Sequence, residues 1–482
     1  MKRLRLIILS IKLLAVLAIT TKAQAPIRIL TFEEAVKIAL ENSVKLGAEK
    51  NNLKLSQVTR LGSIVGIGPN VSINSQGNRT SGNSFNPNTG IVTNGIRDNI
   101  TANISANLNL FSGFSQINRI KQFSKQLEAQ NYLINRTTQD VINDVASNYL
   151  QVMLDYQSYI IAKENHEALT KQLEMVRELV NLGARSPVDE YNQEAQTKGA
   201  ELREVQALIA FNNDQALLSQ ILLLDPLEQF EVEAPNWDIN NLLADSLNVE
   251  YLVDQSKEYR SDYQRALRLA KATYFAMNAI KGQLFPTLYA FGAYGSAYNY
   301  QHDVPKYVSV SETDYTLIEN RLEKITTTAQ VNNPYYPQSF GNQFKTNNIY
   351  KQFGLQLSIP LFRGLQNRTN YVEQKIMYKN SQLDLKNIEF QIRNDVVRAV
   401  RLFEGAKKAF VVTVAQLKAA DFAFQLESER FNLGVTNFVD YANANRAFVQ
   451  AKIEKAQAEF RLMFQRISLD YAIGTLKYDG LK

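Results

Sequence analysis

The sequence predicts a mixed α+β membrane protein, an internally duplicated subunit that joins barrel-type β-strands to very long coiled-coil helices. Three observations carry this reading. Motifs recur at one constant offset, four segments alternate apolar with uncharged polar residues, and two long Gly-poor, Pro-free stretches hold heptad spacing.

The repeat comes first. Asn181-Leu182-Gly183 followed by Val188-Asp189 returns as Asn432-Leu433-Gly434 followed by Val439-Asp440. Leu110-Phe111-Ser112-Gly113 returns as Leu361-Phe362-Arg363-Gly364. Both pairs are 251 residues apart. One offset at two distant anchors means a structural unit duplicated in tandem. The first repeat is read as residues 24–248, the second as 249–474, with a tail at 475–482.

Residues 1–23 read as a secretory signal peptide: a basic start from Lys2 to Arg5, an apolar run from Leu6 to Thr20, and small residues before a cut after Ala23. The run is short for a bilayer span. Removing residues 1–23 takes away five basic residues and no acid, so the formal charge falls from +6 to +1. The high pI therefore gives no support for nucleic-acid binding. The chain has no cysteine, so it offers neither a disulfide nor a thiol for lipid attachment. No apolar run near 18 residues follows the signal, and no transmembrane helix is expected. That leaves a soluble periplasmic protein or a β-barrel, whose closed ladder satisfies every backbone group inside lipid.

The first helix is expected over 31–60, opened by Thr31 with Glu33 and Glu34 in its first turn. Strands follow over 65–76 and 99–111. In the second, Ile100, Ala102, Ile104, Ala106, Leu108 and Leu110 alternate with Asn99, Thr101, Asn103, Ser105, Asn107 and Asn109. Strands over 287–300 and 351–362 belong to the second half. The former alternates weakly; the latter sets Phe353, Leu355, Leu357, Ile359 and Leu361 against Gln352, Gly354, Gln356 and Ser358. One apolar and one uncharged polar face is the signature of a membrane barrel, although a half-buried soluble sheet alternates in the same way. Residues 79–98 and 301–348 read as long loops. Four strands cannot close a barrel, since about eight is the usual minimum. Further copies of the chain must supply the rest. Two copies would give eight strands and three would give twelve, and the strands themselves do not choose.

Each strand pair runs into a helix, expected over 114–182 and 365–433. About 68 residues make roughly 100 Å, too long for one globular core. Val145, Tyr149, Val152, Tyr156 and Tyr159 step by four and three, as do His166, Leu169, Leu173, Val176 and Val180. Val396, Val400, Phe403, Phe410, Val414, Leu417 and Phe424 hold the same seam in the copy. Shorter helices over 188–224, 249–283 and 439–474 complete the pattern, so that two short helices stacked end to end match one long one. Pro226 is expected to stop the return helix, and residues 226–248, with Trp237, to form a non-helical belt that the tail joins.

These residues resemble the TolC-like outer-membrane factor family over almost the whole chain after the signal. The resemblance rests on the duplicated helix–strand–strand–long helix–short helix order, on the Pro360-Leu361-Phe362-x-Gly364 turn, and on the tip from Phe431-Asn432-Leu433-Gly434 to Val439-Asp440. It implies a homotrimer whose four strands per copy make a 12-stranded barrel in the outer membrane lipid, continued by a periplasmic α-barrel. It implies a passive exit duct of a tripartite efflux or type I secretion system, opened at its periplasmic end by an adaptor protein and an inner-membrane pump of RND or ABC type. It implies no enzyme and no cofactor.

The resemblance also points to site residues. The tips at Leu182-Gly183 and Leu433-Gly434 would dock the adaptor. Asp440 would line the periplasmic constriction, where three copies make an acidic ring open to block by divalent cations. Asn443 stands where relatives carry a second Asp, and Thr436 where a gate arginine is found. Arg185 holds that place in the first half, with Asp189 nearby, and is expected to pair with Asp189 or Asp440. Both carboxylates also suit the first turn of a helix without any gate.

Other chemistry is set aside. Only His166 and His302 exist and there is no cysteine, so a His/Cys metal site is excluded and a histidine-based triad has no support. His166 reads as a packing residue on the seam. No phosphate-binding Gly-rich loop is present. A non-conducting periplasmic coiled-coil scaffold or adhesin is the alternative, weakened by the wholly uncharged polar strand faces.

Overall fold

The computed structural model describes residues 28–86, 90–225, 230–233, 237, 239–244, 247–302, 304–319, 321–334 and 336–477. The expected signal peptide, Pro226 and residues 478–482 of the tail lie outside the described residues.

The elements run β1 (Arg28–Leu30), α1 (Phe32–Asn42), α2 (Val44–Val65), β2 (Asn70–Asn86), β3 (Ile91–Ser112), α3 (Ser115–Asn181), α4 (Pro187–Leu222), β4 (Phe230–Val232), α5 (Ile239–Ala244), α6 (Val249–Tyr259), α7 (Ser261–Gly282), β5 (Thr287–Gln301), β6 (Tyr307–Ile318), β7 (Arg321–Asn332), β8 (Tyr350–Ser358), α8 (Gln366–Asn432) and α9 (Phe438–Ile473). A short helical turn covers residues 340–347 before β8. The chain divides into two compact units, one of residues 1–55, 127–270 and 381–482, the other of residues 56–126 and 271–380.

The first unit is helical, and the heptad seams are its core. One cluster gathers Phe32 and Val36 of α1, Val145, Tyr149 and Val152 of α3, Leu218 and Leu222 of α4, and Phe230 of β4. Tyr149 is fully buried, and its hydroxyl lies 2.7 Å from the carbonyls of both Leu30 and Glu233. It thereby fastens the parallel β1–β4 pair to α3. The second cluster repeats the seam with Val396, Val400 and Phe403 of α8 against Leu462, Leu469 and Ile473 of α9.

The second unit holds an antiparallel sheet of order β2-β3-β5-β8 and a separate β6–β7 hairpin. Ile73 pairs with Ile104, Ile104 with Tyr294, and Ala290 with Leu355, so these apolar residues of the four strands share one face, while Tyr289 and Phe291 of β5 lie on the opposite face across from Asn109 and Asn107. Asn and Ser residues share the other, where the Ser72 and Ser105 hydroxyls meet at 3.0 Å. Among the described residues, no further strand pairs with the outer edges of β2 and β8. At the turn from β3 into α3, a Cβ on Gly113 would sit 2.1 Å from the Gly282 carbonyl oxygen. Only glycine lets the two backbones approach so closely.

Several expectations are corrected. The helices expected over 31–60 and 249–283 are each broken in two. At Ser43, ψ is 112° and the hydroxyl caps Leu46 N–H at 3.2 Å, starting α2. At Arg260, ψ is 113°, and the buried guanidinium reaches Asp262, Asp395 at 3.1 Å and the Ala472 carbonyl at 3.3 Å. Residues 65–69 close the helix rather than begin a strand, and most of the 79–98 loop is strand. The β2–β3 ladder continues past Asn78–Asn99, with Arg79 clamped on Asp98 at 2.6 Å. Alternation fails there because both faces are polar. The 301–348 loop contains β6–β7 and the helical turn, whose Gln343 and Asn348 bond the β5 backbone at Asn299 and Ala297 beyond the end of β8. β8 stops at Ser358, two residues short of Pro360, which has no N–H for a ladder. The 226–248 belt, expected to be non-helical, includes β4 and α5, and Trp237 packs edge-to-face on Phe32 at 5.6 Å. Helix α4 ends at Leu222, with Leu223 left-handed at φ 53°, before Pro226 is reached.

His166 is more than a packing residue: its Nδ1 lies 2.6 Å from Glu204. Finally, one helix, α8, is long and apolar enough to cross a membrane by length and composition, with none of the apolar stretch buried. Val411, Val412, Phe422 and Leu426 lie exposed along it.

Candidate functional site

The helix ends at 182–190 and 433–441 form two tips of nearly identical construction. Gly183 has φ 70° and Gly434 φ 76°. Gly183 N–H bonds Val180 O at 2.9 Å and Ala184 N–H bonds Leu179 O at 2.8 Å. At the other tip, Gly434 N–H bonds Phe431 O at 3.0 Å and Val435 N–H bonds Arg430 O at 2.8 Å. Both are Schellman closures that satisfy the last carbonyls of α3 and α8. Nothing lies within 4 Å of a Cβ built on either glycine, so the left-handed φ alone demands glycine there.

The return helices start alike. The Ser186 hydroxyl accepts from Val188 N–H at 3.2 Å ahead of Pro187, and the Asn437 side chain accepts from Asp440 N–H at 2.9 Å. Asp189 and Asp440 sit in the first turns, where the helix dipole favours a carboxylate. Apolar side chains point into solvent in matched pairs: Leu182 and Leu433 are 80% and 79% exposed, Val188 and Val439 64% and 62%. Both tips therefore present apolar side chains at their ends in the single chain.

The gate candidates are only partly brought together. Arg185 pairs with neither Asp189 nor Asp440. It crosses to the other tip, donates a hydrogen bond to the Phe431 carbonyl oxygen, and lays its guanidinium 3.9 Å from the centroid of the Phe431 ring. Phe431 is 1% exposed, and its carbonyl, which already accepts from Gly434 N–H, keeps a second lone pair for the guanidinium beside the ring face, while both carboxylates serve helix starts. Thr436 donates to Asp440 at 3.4 Å, and Asn443 is exposed one turn further on.

Sequence reasoning missed what lies behind Arg185. Phe431 stacks on Tyr441 at 4.7 Å and 14°, and Phe424 stacks on Phe448 at 5.2 Å and 8°. Val176 of the first tip closes this cluster. Burial pushes the Tyr441 phenol up to about 12. Phe424 and Phe431 are seven residues apart, so the heptad seam held the signal. An Arg177–Glu190 pair at 3.1 Å ties α3 to α4 at the first tip, and further along the helices a buried Asn165–Asn445 hydrogen bond of 3.1 Å joins α3 to α9.

The comparisons agree with this geometry. The family model described as "Outer membrane efflux protein" matches residues 39–222 and 324–475, more than two-thirds of the chain. The outer membrane protein TolC of Escherichia coli strain K12 is 22% identical over 408 residues, which are 80% of this chain and 72% of that protein. Among solved structures, the outer membrane protein VceC of Vibrio cholerae superposes with a TM-score of 0.74 at 13% identity, covering 92% of this chain and 96% of that one. The Campylobacter jejuni CmeC outer membrane channel gives 0.73 at 14% identity, covering 92% and 85%. At such identities the structural likeness is one of fold, while the family match extends through both long helices and both tips. The chain belongs to the outer membrane efflux protein family: it is a TolC-type efflux channel of the outer membrane and not an enzyme.

Proposed function

We propose that three copies of the chain assemble into the exit duct of a tripartite efflux or type I secretion system. The observation that carries this reading is the four-stranded sheet with one apolar face, an opposite face of amides and hydroxyls joined by Tyr289 and Phe291, and two open edges. An open edge in lipid leaves a row of backbone groups without partners, so β8 of one copy must pair with β2 of the next. Three copies give twelve strands around a wet lumen. The exposed apolar residues of α8 then face neighbouring helices rather than lipid. Leu182, Val188, Leu433 and Val439, exposed around the Gly183 and Gly434 turns, dock a periplasmic adaptor, and an inner-membrane pump supplies the energy.

The mouth is narrowed by the tips. Three Asp440 carboxylates form an acidic ring with Thr436 and Asn443 beside it, attracting cations and blocked by divalent ones. Asp189 serves its helix, and Arg185 ties one tip to the other within a copy. The test is the mass of the detergent-purified protein together with its conductance in a planar bilayer. A trimer with small, cation-selective conductance that falls on adding magnesium supports the reading. A non-conducting species would overturn the duct, and a conducting dimer would overturn the trimer.

A further inference from the structure

At the helix side of the sheet, a cleft of about 420 Å³ opens between the start of α3 and the end of α7. Two lysines, Lys121 and Lys281, and two carboxamides, Asn118 and Asn278, line it beside Phe114, Ile117 and Phe285. The three apolar residues are about half exposed or more. No acid lines the cleft. Residues 99–126 and 271–301, which build this end of the sheet, contain five basic residues and no Asp or Glu. Lys121 rides over the Phe275 ring at 5.6 Å. Among the described residues, neither lysine has a carboxylate partner. The Gly113–Gly282 backbone contact holds the two helix ends, and hence the two lysines, at a set separation.

The sheet gives the height of this cleft in the membrane. The apolar face of β3 runs from Ile100 to Leu110. Ten residues cover about 34 Å along a strand, or about 25 Å along the normal at roughly 40° of tilt, which is the height of a barrel's apolar band. Phe111 and Phe114, edge-to-face at 5.3 Å, therefore stand at the rim of that band. Lys121 is six helical residues beyond Ser115, about 9 Å further out. That is headgroup depth, within the reach of a snorkelling lysine. The duplication shows that the fold does not need these cations, because the equivalent positions in the other repeat are Val372 and Ile64.

We propose that this cleft binds the phosphate of an anionic phospholipid headgroup between Lys121 and Lys281, with the acyl chains lying along Phe111, Phe114 and Phe285. The inference rests on the outer-membrane location and not on the gate. Native mass spectrometry of the full chain in detergent, titrated with phosphatidylglycerol, phosphatidylcholine or inorganic phosphate, tests it. Each lysine near an anionic headgroup contributes enough that the pair should favour phosphatidylglycerol over phosphatidylcholine by about tenfold to thirtyfold. Lys121→Gln with Lys281→Gln should abolish that preference. Lys121→Arg with Lys281→Arg should keep it, and so should the distant Lys418→Gln. Absence of any preference in the natural chain, or its survival in the paired Gln variant, would overturn the site. Displacement of the lipid by millimolar inorganic phosphate would overturn the lipid as its occupant. Failure of the paired Arg variant, folded and assembled, to bind would do the same for the charge argument.

Discussion

Removing the Arg185 side chain should unfasten the two tips from each other. Its guanidinium makes two contacts at once, a charged hydrogen bond to the Phe431 carbonyl and a face contact with the Phe431 ring at 3.9 Å. Taken singly, the first is worth about 1.5–3 kcal/mol and the second about 0.5–2 kcal/mol. They share one half-exposed side chain, so about 2–3 kcal/mol is the sensible total for Arg185→Ala. That shifts an equilibrium between fastened and loosened tips by about 30- to 150-fold. Arg185→Lys should lose roughly half, because an ammonium cannot lie flat on a ring while donating to the adjacent carbonyl. Hydrogen exchange at residues 176–190 and 424–441 reads the loosening directly, and leak conductance reads its consequence. Phe431→Leu removes the ring and leaves the carbonyl, so the double-mutant cycle isolates the face contact at about 1 kcal/mol of coupling. Strictly additive effects of the two substitutions, or unchanged exchange in Arg185→Ala, would refute the clasp.

Three further outcomes are expected. Gly183→Ala and Gly434→Ala should each cost about 1–2 kcal/mol, since only the left-handed φ opposes them, whereas Gly113→Ala should cost more than about 4 kcal/mol through its collision with the Gly282 carbonyl; thermal midpoints and yields of assembled protein separate the two classes. The Asp155 carboxyl is pushed up to about 6 by burial and then by its hydrogen bond to Asp214. The folded chain therefore binds more protons than the unfolded one between pH 4 and 6, and stability falls as pH rises through that window. Discounted for partial exposure, the loss is about 1 kcal/mol, so Asp155→Asn should raise the thermal midpoint at pH 7 and leave it unchanged near pH 4; a shift independent of pH would reject the cause. Asp440→Asn should weaken magnesium block without changing the mass of the assembly, and intact block would remove Asp440 from the constriction.

What the sequence made legible was whatever repeats or buries. The seam Val145, Tyr149, Val152 and its copy Val396, Val400, Phe403 are core in both halves because a heptad spacing has only one apolar side to hide. The tips were legible through Gly183 and Gly434, since a left-handed helix end has few substitutes for glycine. The breaks at Ser43 and Arg260 were hidden because neither is Gly or Pro. Ser43 looks like any helical serine until its hydroxyl caps Leu46, and Arg260 breaks its helix to keep a long-range ion pair with Asp395. The strands above Arg79 were hidden for the opposite reason: two polar faces carry no period. Arg185 reads as one half of a salt bridge because its charge is visible in sequence, while the buried ring and carbonyl it prefers belong to Phe431, 246 positions away.

The duplication itself carries two offsets, and their difference locates a dispensable part. Thr31 and Asn248 cap the first helices, α2 and α7 begin at Val44 and Ser261, and β2 and β5 begin at Asn70 and Thr287. Each of these pairs is 217 residues apart, while every landmark from Gly113 onward recurs after 251. The 34 extra residues enter the second half between β5 and β8, where β6, β7 and the helical turn stand. The turn has work to do, since Gln343 and Asn348 cover the β5 edge that β8 leaves open. The hairpin has none that the single chain reveals. Of its 24 strand residues only Val308 is half-buried, and the rest are exposed. Its base is closed by Asn333, whose N–H bonds Lys306 O at 2.9 Å and whose side chain bonds Pro305 O at 2.8 Å. The two ends are therefore adjacent, and replacing residues 306–333 with two glycines strains nothing on either side. Two paired strands without a buried face are marginal on their own, so the excision should cost less than about 1 kcal/mol, with thermal midpoint and conductance close to those of the full chain. Loss of assembly, or a midpoint lower by more than about 5 °C, would mean that the hairpins hold one another in the assembled ring, and would turn the insertion from an ornament of one repeat into part of the contact between copies.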